Sequence, residues 1–300
     1  MEYVAPGRFV TRCTTDATLW WVSGLPGADD VWAVGDRGRV VRRRAGRCEE
    51  VPLGLPFGDL EPTLWGVVVR APNDVWVVGG SPRPDGPRGV LLHGDGAGWR
   101  QEALPARAQR ENLYKIAIDD SALVVVGSGG LILRRADSDG VWREVPSSLP
   151  DDARIFTASC EGGVCFGVGS ATSGFVLRGA AGRWESIDMV GDASLADTPA
   201  LNGVWARTSD DLYAVGVDRF VLHLGEGGLR SPAVRATRAA LHGVGGFGGV
   251  VFAVGGELAN ATPAQRGVIL LVDEDAGDVT LDGMPYAEGA LQGARPGAGQ

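Results

Sequence analysis

One short phrase recurs six times in this chain and constrains its fold more than any other feature. It reads Asp30-Val-Trp-Ala-Val-Gly35, Asp74-Val-Trp-Val-Val-Gly79, Leu123-Val-Val-Val-Gly127, Val164-Cys-Phe-Gly-Val-Gly169, Asp211-Leu-Tyr-Ala-Val-Gly216 and Val250-Val-Phe-Ala-Val-Gly255. The closing glycines are 44, 48, 42, 47 and 39 residues apart. A second phrase precedes each copy: Leu19-Trp-Trp-Val, Leu64-Trp-Gly-Val, Leu113-Tyr-Lys-Ile, Ile155-Phe-Thr-Ala, Leu201-Asn-Gly-Val and Leu241-His-Gly-Val. A third follows, for example Val90-Leu-Leu92 and Phe220-Val-Leu222, and a weaker fourth ends several units, as in Trp142-Arg-Glu-Val and Trp184-Glu-Ser-Ile. Internal repetition at this period marks repeat architectures.

Each unit therefore holds four short apolar, β-branched or aromatic runs separated by Gly, Asp, Asn and Pro. That pattern predicts a four-stranded antiparallel meander, with strands A to D, the size of a propeller blade. No run sustains a 3.6-residue period, so almost no helix is expected. A lone meander leaves two apolar faces uncovered, and radial stacking of six covers each with its neighbour. The expected fold is an all-β, six-bladed β-propeller of four-stranded antiparallel blades. Residues 1–285 form its single domain, and the Gly-, Ala- and Gln-rich tail 286–300 is expected to be disordered. An extra strand at residues 7–12 is expected on the last blade, fastening the ring; the alternative is the remnant of a seventh blade.

These motifs resemble the bacterial propeller repeats grouped with BNR-type and photosystem assembly factor-like proteins, over residues 17–283. The resemblance implies a propeller fold without specifying a substrate. Neuraminidase relatives also carry Asp-boxes of the form Ser-x-Asp-x-Gly-x-Thr-Trp, and Asp137-Ser-Asp-Gly-Val-Trp142 lacks that spacing.

The D–A linkers and B–C loops share one face, here called the top. The long B–C loops 79–89 and 255–267, and the long linkers 53–63, 104–112 and 187–200, all fall there, where loops on a rigid scaffold carry recognition. The residue after the first strand-A leucine should approach the top mouth of the channel. Around the ring these residues are Trp20, Trp65, Tyr114, Phe156, Asn202 and His242. Four aromatics followed by an amide and an imidazole suit a stacking surface with orienting polar groups; the competing reading packs them between blades.

Catalytic constellations are thin. His93 and His223 occupy equivalent strand-C positions and read as repeat residues. No His-x-x-x-His, Cys-x-x-Cys, phosphate loop or nucleophile elbow occurs. Asp59, Glu61, Glu111, Asp151, Asp152, Asp192 and Asp197 are top-face acids that could supply an acid/base pair. The A–B turn acids, such as Asp29-Asp30 and Asp210-Asp211, read as turn chemistry. Arg39, Arg42, Arg43, Arg44 and Arg47 read as charge guarding an outer strand, or else as a dock for an acidic partner. The functional expectation is a non-catalytic binding or assembly module presenting its top face to a protein or carbohydrate. The alternative is a propeller glycan hydrolase or lyase acting at the mouth. No catalytic residue, metal ligand or cofactor is assigned.

A net charge of −9 argues against a nucleic acid partner. No apolar run is long enough to span a membrane as a helix. The opening residues lack the basic and apolar regions of a signal peptide, so a cytoplasmic location is the default. Cys160 and Cys165 flank an A–B turn and should face each other across a hairpin. They are either bridged, which implies an extracytoplasmic, oxidising compartment, or two free thiols. Cys13 and Cys48 offer no geometric argument.

Overall fold

The computed structural model describes residues 2–5, 8–10, 12–57, 60–180, 182–187, 198–226, 228–231, 239–247, 250–256, 268–273 and 277–280. Six four-stranded antiparallel sheets follow one another along the chain, each a simple meander from inner to outer strand. Blade 1 comprises β3 (Leu19–Gly24), β4 (Asp30–Gly35), β5 (Val40–Arg44) and β6 (Arg47–Glu50), and blade 2 comprises β7 (Thr63–Ala71), β8 (Asp74–Gly80), β9 (Val90–Gly94) and β10 (Trp99–Gln101). Blade 3 is β11 (Leu113–Asp119), β12 (Ala122–Gly127), β13 (Ile132–Ala136) and β14 (Trp142–Glu144); blade 4 is β15 (Arg154–Glu161), β16 (Val164–Ser170), β17 (Gly174–Ala180) and β18 (Arg183–Ser186). Blade 5 holds β19 (Leu201–Thr208), β20 (Asp211–Gly216), β21 (Val221–Gly225) and β22 (Gly228–Arg230), and blade 6 holds β23 (Leu241–Phe247), β24 (Val250–Gly255), β25 (Val268–Asp273) and β26 (Gly277–Thr280). The described residues contain no α-helix, only single 3-10 turns at Ala108–Arg110 and Val217–Arg219. No helix among them is long and apolar enough to cross a membrane. The fold is a β-propeller.

Stacking of blades makes the core. Trp21, Trp32, Val34 and Val40 of blade 1 pack on Leu64, Val67, Val75 and Val77 of blade 2. Trp76, Val78 and Leu91 of blade 2 pack in turn on Leu113, Ile116, Leu123 and Val125 of blade 3. The strand-B aromatics Trp32, Trp76, Phe166 and Tyr213 are at most 5% exposed, consistent with their fixed register, and Phe252 is half-buried. Inner strands lie against one another at five successive interfaces, from β3·β7 to β19·β23.

The glycine closing each strand-B phrase has a steric reason. A Cβ on Gly35, Gly79, Gly127, Gly169, Gly216 or Gly255 would collide with a backbone carbonyl at the start of strand A, that of Thr18, Thr63, Asn112, Arg154, Ala200 or Ala240 respectively. None of the six has positive φ, so close approach rather than backbone freedom demands glycine here. At four of them, the next residue's N–H bonds that same carbonyl, as Asp36 does to Thr18 at 2.9 Å.

The N-terminal strand departs from expectation. β2 (Arg8–Val10) pairs with β1 (Glu2–Ala5) as a separate two-stranded sheet, not with blade 6, whose outer strand is β26. A partner two residues away along the chain is met at less entropic cost than one across the ring. The expected disordered tail from Tyr286 lies outside the described residues.

Candidate functional site

All six inner strands carry a β-bulge at one position, between Leu19 and Trp21, Leu64 and Gly66, Leu113 and Lys115, Ile155 and Thr157, Leu201 and Gly203, and Leu241 and Gly243. The bulged residues are Trp20, Trp65, Tyr114, Phe156, Asn202 and His242. A bulge sets two residues against one on the partner strand and re-aims the extra side chain. Simple alternation, which would place these residues beside Val22, Val67 and Val204, therefore does not apply to them.

Each lies beside the top-face loops. Trp20 donates its indole N–H to Asp36 (2.6 Å), and the Trp65 ring lies by Gly80. Trp65, Tyr114 and Phe156 form a continuous arc, with ring centroids 5.2 and 5.8 Å apart along it. These three rings, Trp20 and Asn202 are half-buried. Asn202 donates an amide N–H to the Leu241 carbonyl (2.9 Å), and Thr157 donates to the Asn202 carbonyl (2.6 Å). His242 is only 7% exposed and donates Nε2–H to the Gly256 carbonyl (2.9 Å). Burial holds its pKa below the usual imidazole value of 6.5, partly offset by that bond, so it is a neutral donor.

Inner-strand side chains of alternate blades also meet. The Lys115 ammonium of blade 3 lies over the ring of Trp21 in blade 1, past the intervening strand β7. Residues of alternate blades meet this way only near the axis. Gly66 permits it, because a side chain there would press on Val78 and the β11 backbone. Lys115, the chain's one lysine, is 4% exposed, and its charge faces a π-system rather than water.

A second concavity lies outward on the same face. Arg37 to Val40, Glu50 to Phe57, Glu61 and Pro62 line a groove of about 540 Å³, with Leu53, Leu55 and Phe57 half-buried along one wall. Sequence reasoning missed it. Its signal was the alternation Leu53-Gly-Leu-Pro-Phe57 inside a linker counted only for its length.

The remaining candidates resolve into structure. Asp74 accepts bonds from the Trp76 indole (2.5 Å) and His93 Nε2 (2.9 Å), with the imidazole stacked on Trp76 at 4.0 Å. Arg100 donates to Nδ1, which fixes the neutral tautomer; burial, then Arg100, lowers the His93 pKa. His223 repeats this on Tyr213 and Asp211, and in blade 1 Arg42 does so on Trp32 and Asp30. The turn acids therefore hold cross-strand side chains more than backbone. Arg39 pairs with Asp16 and Glu50, and Arg43 with Asp29, which neutralises much of the basic cluster. Among the top-face acids, Glu111 accepts from Ser128 (2.6 Å), Asp151 lies 3.5 Å from Arg107, and Glu61 and Asp152 are exposed. Asp59, Asp192 and Asp197 lie outside the described residues, as does most of loop 255–267.

Cys160 and Cys165 are directly paired across β15 and β16 and are joined by a disulfide. A second disulfide, Cys13–Cys48, ties the segment before β3 to the outer strand of blade 1.

The architecture thus defines a β-propeller with an aromatic arc at one end of its inner strands. No protein-family model and no curated protein matches the chain. A solved structure described as YCF48 bound to D1 peptide matches it with a TM-score of 0.62, 19% identity, and coverage of 89% of this chain and 82% of that one. That likeness shows the fold.

Proposed function

We propose that this protein is a non-catalytic binding module that takes a peptide segment of a partner protein on its top face, at the channel mouth. The Trp65–Tyr114–Phe156 arc carries the reading: three bulged, half-exposed rings in mutual contact beside the loops. Aromatic faces accept apolar side chains, and half-buried Asn202 on the opposite side supplies a polar group, while buried His242 braces the loop through Gly256. The peptide in the solved propeller it resembles favours a peptide over a carbohydrate here. Two disulfides favour an oxidising, extracytoplasmic compartment.

The test is selection from a displayed peptide library, with a glycan array in parallel. Selected peptides should lose at least about tenfold in affinity, about 1.4 kcal/mol, against the double variant Tyr114→Ala/Phe156→Ala at unchanged melting temperature. Undiminished binding, or binding to glycans alone, contradicts the proposal.

A further inference from the structure

Three B–C turns share one form, and blade 5 holds it under strain. In Asp36–Arg39, Ser128–Leu131 and Val217–Phe220 the fourth residue's N–H bonds the first residue's carbonyl, at 3.1, 3.2 and 3.0 Å. The preceding glycine, Gly35, Gly127 or Gly216, donates to the fourth residue's carbonyl, and the first residue's N–H reaches the carbonyl just before strand A. The central pair has positive φ each time: 57° and 63° at Arg37 and Gly38, 68° and 61° at Gly129 and Gly130, 52° and 58° at Asp218 and Arg219. A doubly left-handed turn of this kind favours glycine, then asparagine and aspartate, because the Cβ of any other residue crowds its own carbonyl. Blade 3 uses two glycines here, blade 1 uses one, and blade 5 uses none. Among the described residues, Asp218 and Arg219 are the one adjacent pair of non-glycine residues with positive φ.

Packing does not call for these two side chains. Both are exposed, while the flanking Val217 and Phe220 are half-buried and anchor the turn. The turns of this form border the mouth: Asp36, the first residue of the blade 1 turn, accepts the Trp20 indole N–H at 2.6 Å. The blade 5 turn closes β20, whose partner β19 carries Asn202, and it lies against β23, which carries His242. It therefore stands on the polar side of the mouth, away from the aromatic arc. Backbone strain held at a rigid scaffold's rim, with exposed side chains as its one product, marks a functional position. The two side chains are adjacent and opposite in charge, so together they favour neither sign of ligand. What they offer is carboxylate acceptors beside guanidinium donors, the complement of a peptide unit with its N–H and C=O.

We propose that Asp218 and Arg219 are the polar wall of the mouth and bind the main-chain N–H and C=O of an extended peptide whose apolar side chains lie on the Trp65–Tyr114–Phe156 arc; this role rests on the mouth reading above. The arc then selects apolar side chains, and the turn grips the segment whatever its sequence on that side. Glycine at both positions would relax the turn and remove the grip, so stability and binding oppose each other at this one place.

The double variant Asp218→Gly/Arg219→Gly gives blade 5 the central pair of blade 3. Without any ligand it should melt about 2–4 °C above the parent, through release of the strain. A peptide selected from the displayed library should nevertheless bind it at least about tenfold more weakly. Asp218→Asn/Arg219→Gln removes both charges but keeps hydrogen-bonding groups at each position, and should bind within about threefold of the parent. A melting temperature unchanged or lowered in the glycine variant overturns the proposal, as does undiminished peptide binding. A loss in the Asn/Gln variant as large as in the glycine variant assigns the turn to charge selection and also overturns it. A library that yields no peptide overturns the mouth reading and this role with it; that failure is told apart because the glycine variant still melts higher, whereas failure of this role alone leaves a peptide that is lost with Tyr114→Ala/Phe156→Ala and kept by the glycine variant.

Discussion

Replacing Trp76 with alanine should destabilise the ring more than any surface change, by an amount the surroundings allow to be worked out. The indole is 1% exposed, stacks on His93 at 4.0 Å, meets Trp142 edge-on at 5.8 Å and lies under the Arg135 guanidinium at 4.9 Å. Its N–H bonds Asp74, which keeps His93 as a second donor. Loss of the transfer energy plus a cavity between two rigid blades puts Trp76→Ala at about 3–5 kcal/mol. For a domain of this size, about 2–4 °C of melting temperature accompanies each kcal/mol, so a fall of about 10 °C is expected. Trp76→Phe keeps most of the packing and loses the donor, and should cost about 1–2 kcal/mol. Melts followed by near-UV circular dichroism separate the two variants. An alanine variant within about 2 °C of the parent, or a phenylalanine variant as damaged as the alanine one, refutes the reasoning.

His93→Arg should be tolerated at a cost of about 1 kcal/mol, because Arg42 already fills that position in blade 1, taking both Asp30 oxygens and leaving the Trp32 indole N–H unpartnered; a loss as large as that of Trp76→Ala contradicts the equivalence. Burial is the leading cause of the lowered pKa at both His93 and His242. The unfolded chain is therefore the stronger proton binder below its reference value of 6.5, so stability is full above that pH and falls on acidification through it. His242→Gln, which keeps a donor for Gly256, should flatten that fall, and a melting temperature that rises on acidification would show the sign to be wrong. By loop length, the 35-residue Cys13–Cys48 closure contributes about 4 kcal/mol and the 5-residue Cys160–Cys165 closure about 2. Serine pairs at each site should destabilise in that order, and mild reductant with alkylation should open the bridge at exposed Cys48 before the one at buried Cys160 and Cys165.

The strands were legible because blade packing imposes one register on every unit: Trp32, Trp76, Phe166 and Tyr213 recur where an interblade core needs them. Gly35 and its equivalents were legible as a closing residue, although their cause is collision with a carbonyl rather than a turn's φ. The bulge at Trp20, Trp65, Tyr114, Phe156, Asn202 and His242 was not legible, because a single extra residue leaves the hydrophobic pattern on either side unchanged. The order of the mouth residues around the ring followed from the repeat, while their aim depended on the bulge. Cys13 and Cys48 meet through the path of an irregular segment, which no periodicity encodes. Cys160 and Cys165 were placed opposite each other because a hairpin fixes its own pairing. The groove beside Phe57 depends on how a linker folds over a turn, and Lys115 on what sits two blades away.

The central claim is that the mouth arc receives the ligand. Indole ¹⁵N–H resonances report on it directly, since Trp20 and Trp65 lie at the mouth while Trp76, Trp142 and Trp184 are buried between blades. Titration with a selected peptide should shift the Trp20 and Trp65 indole signals saturably, leave the three buried ones in place, and produce no such shifts in Tyr114→Ala/Phe156→Ala. Binding that leaves Trp20 and Trp65 unmoved would place the ligand elsewhere and contradict the account.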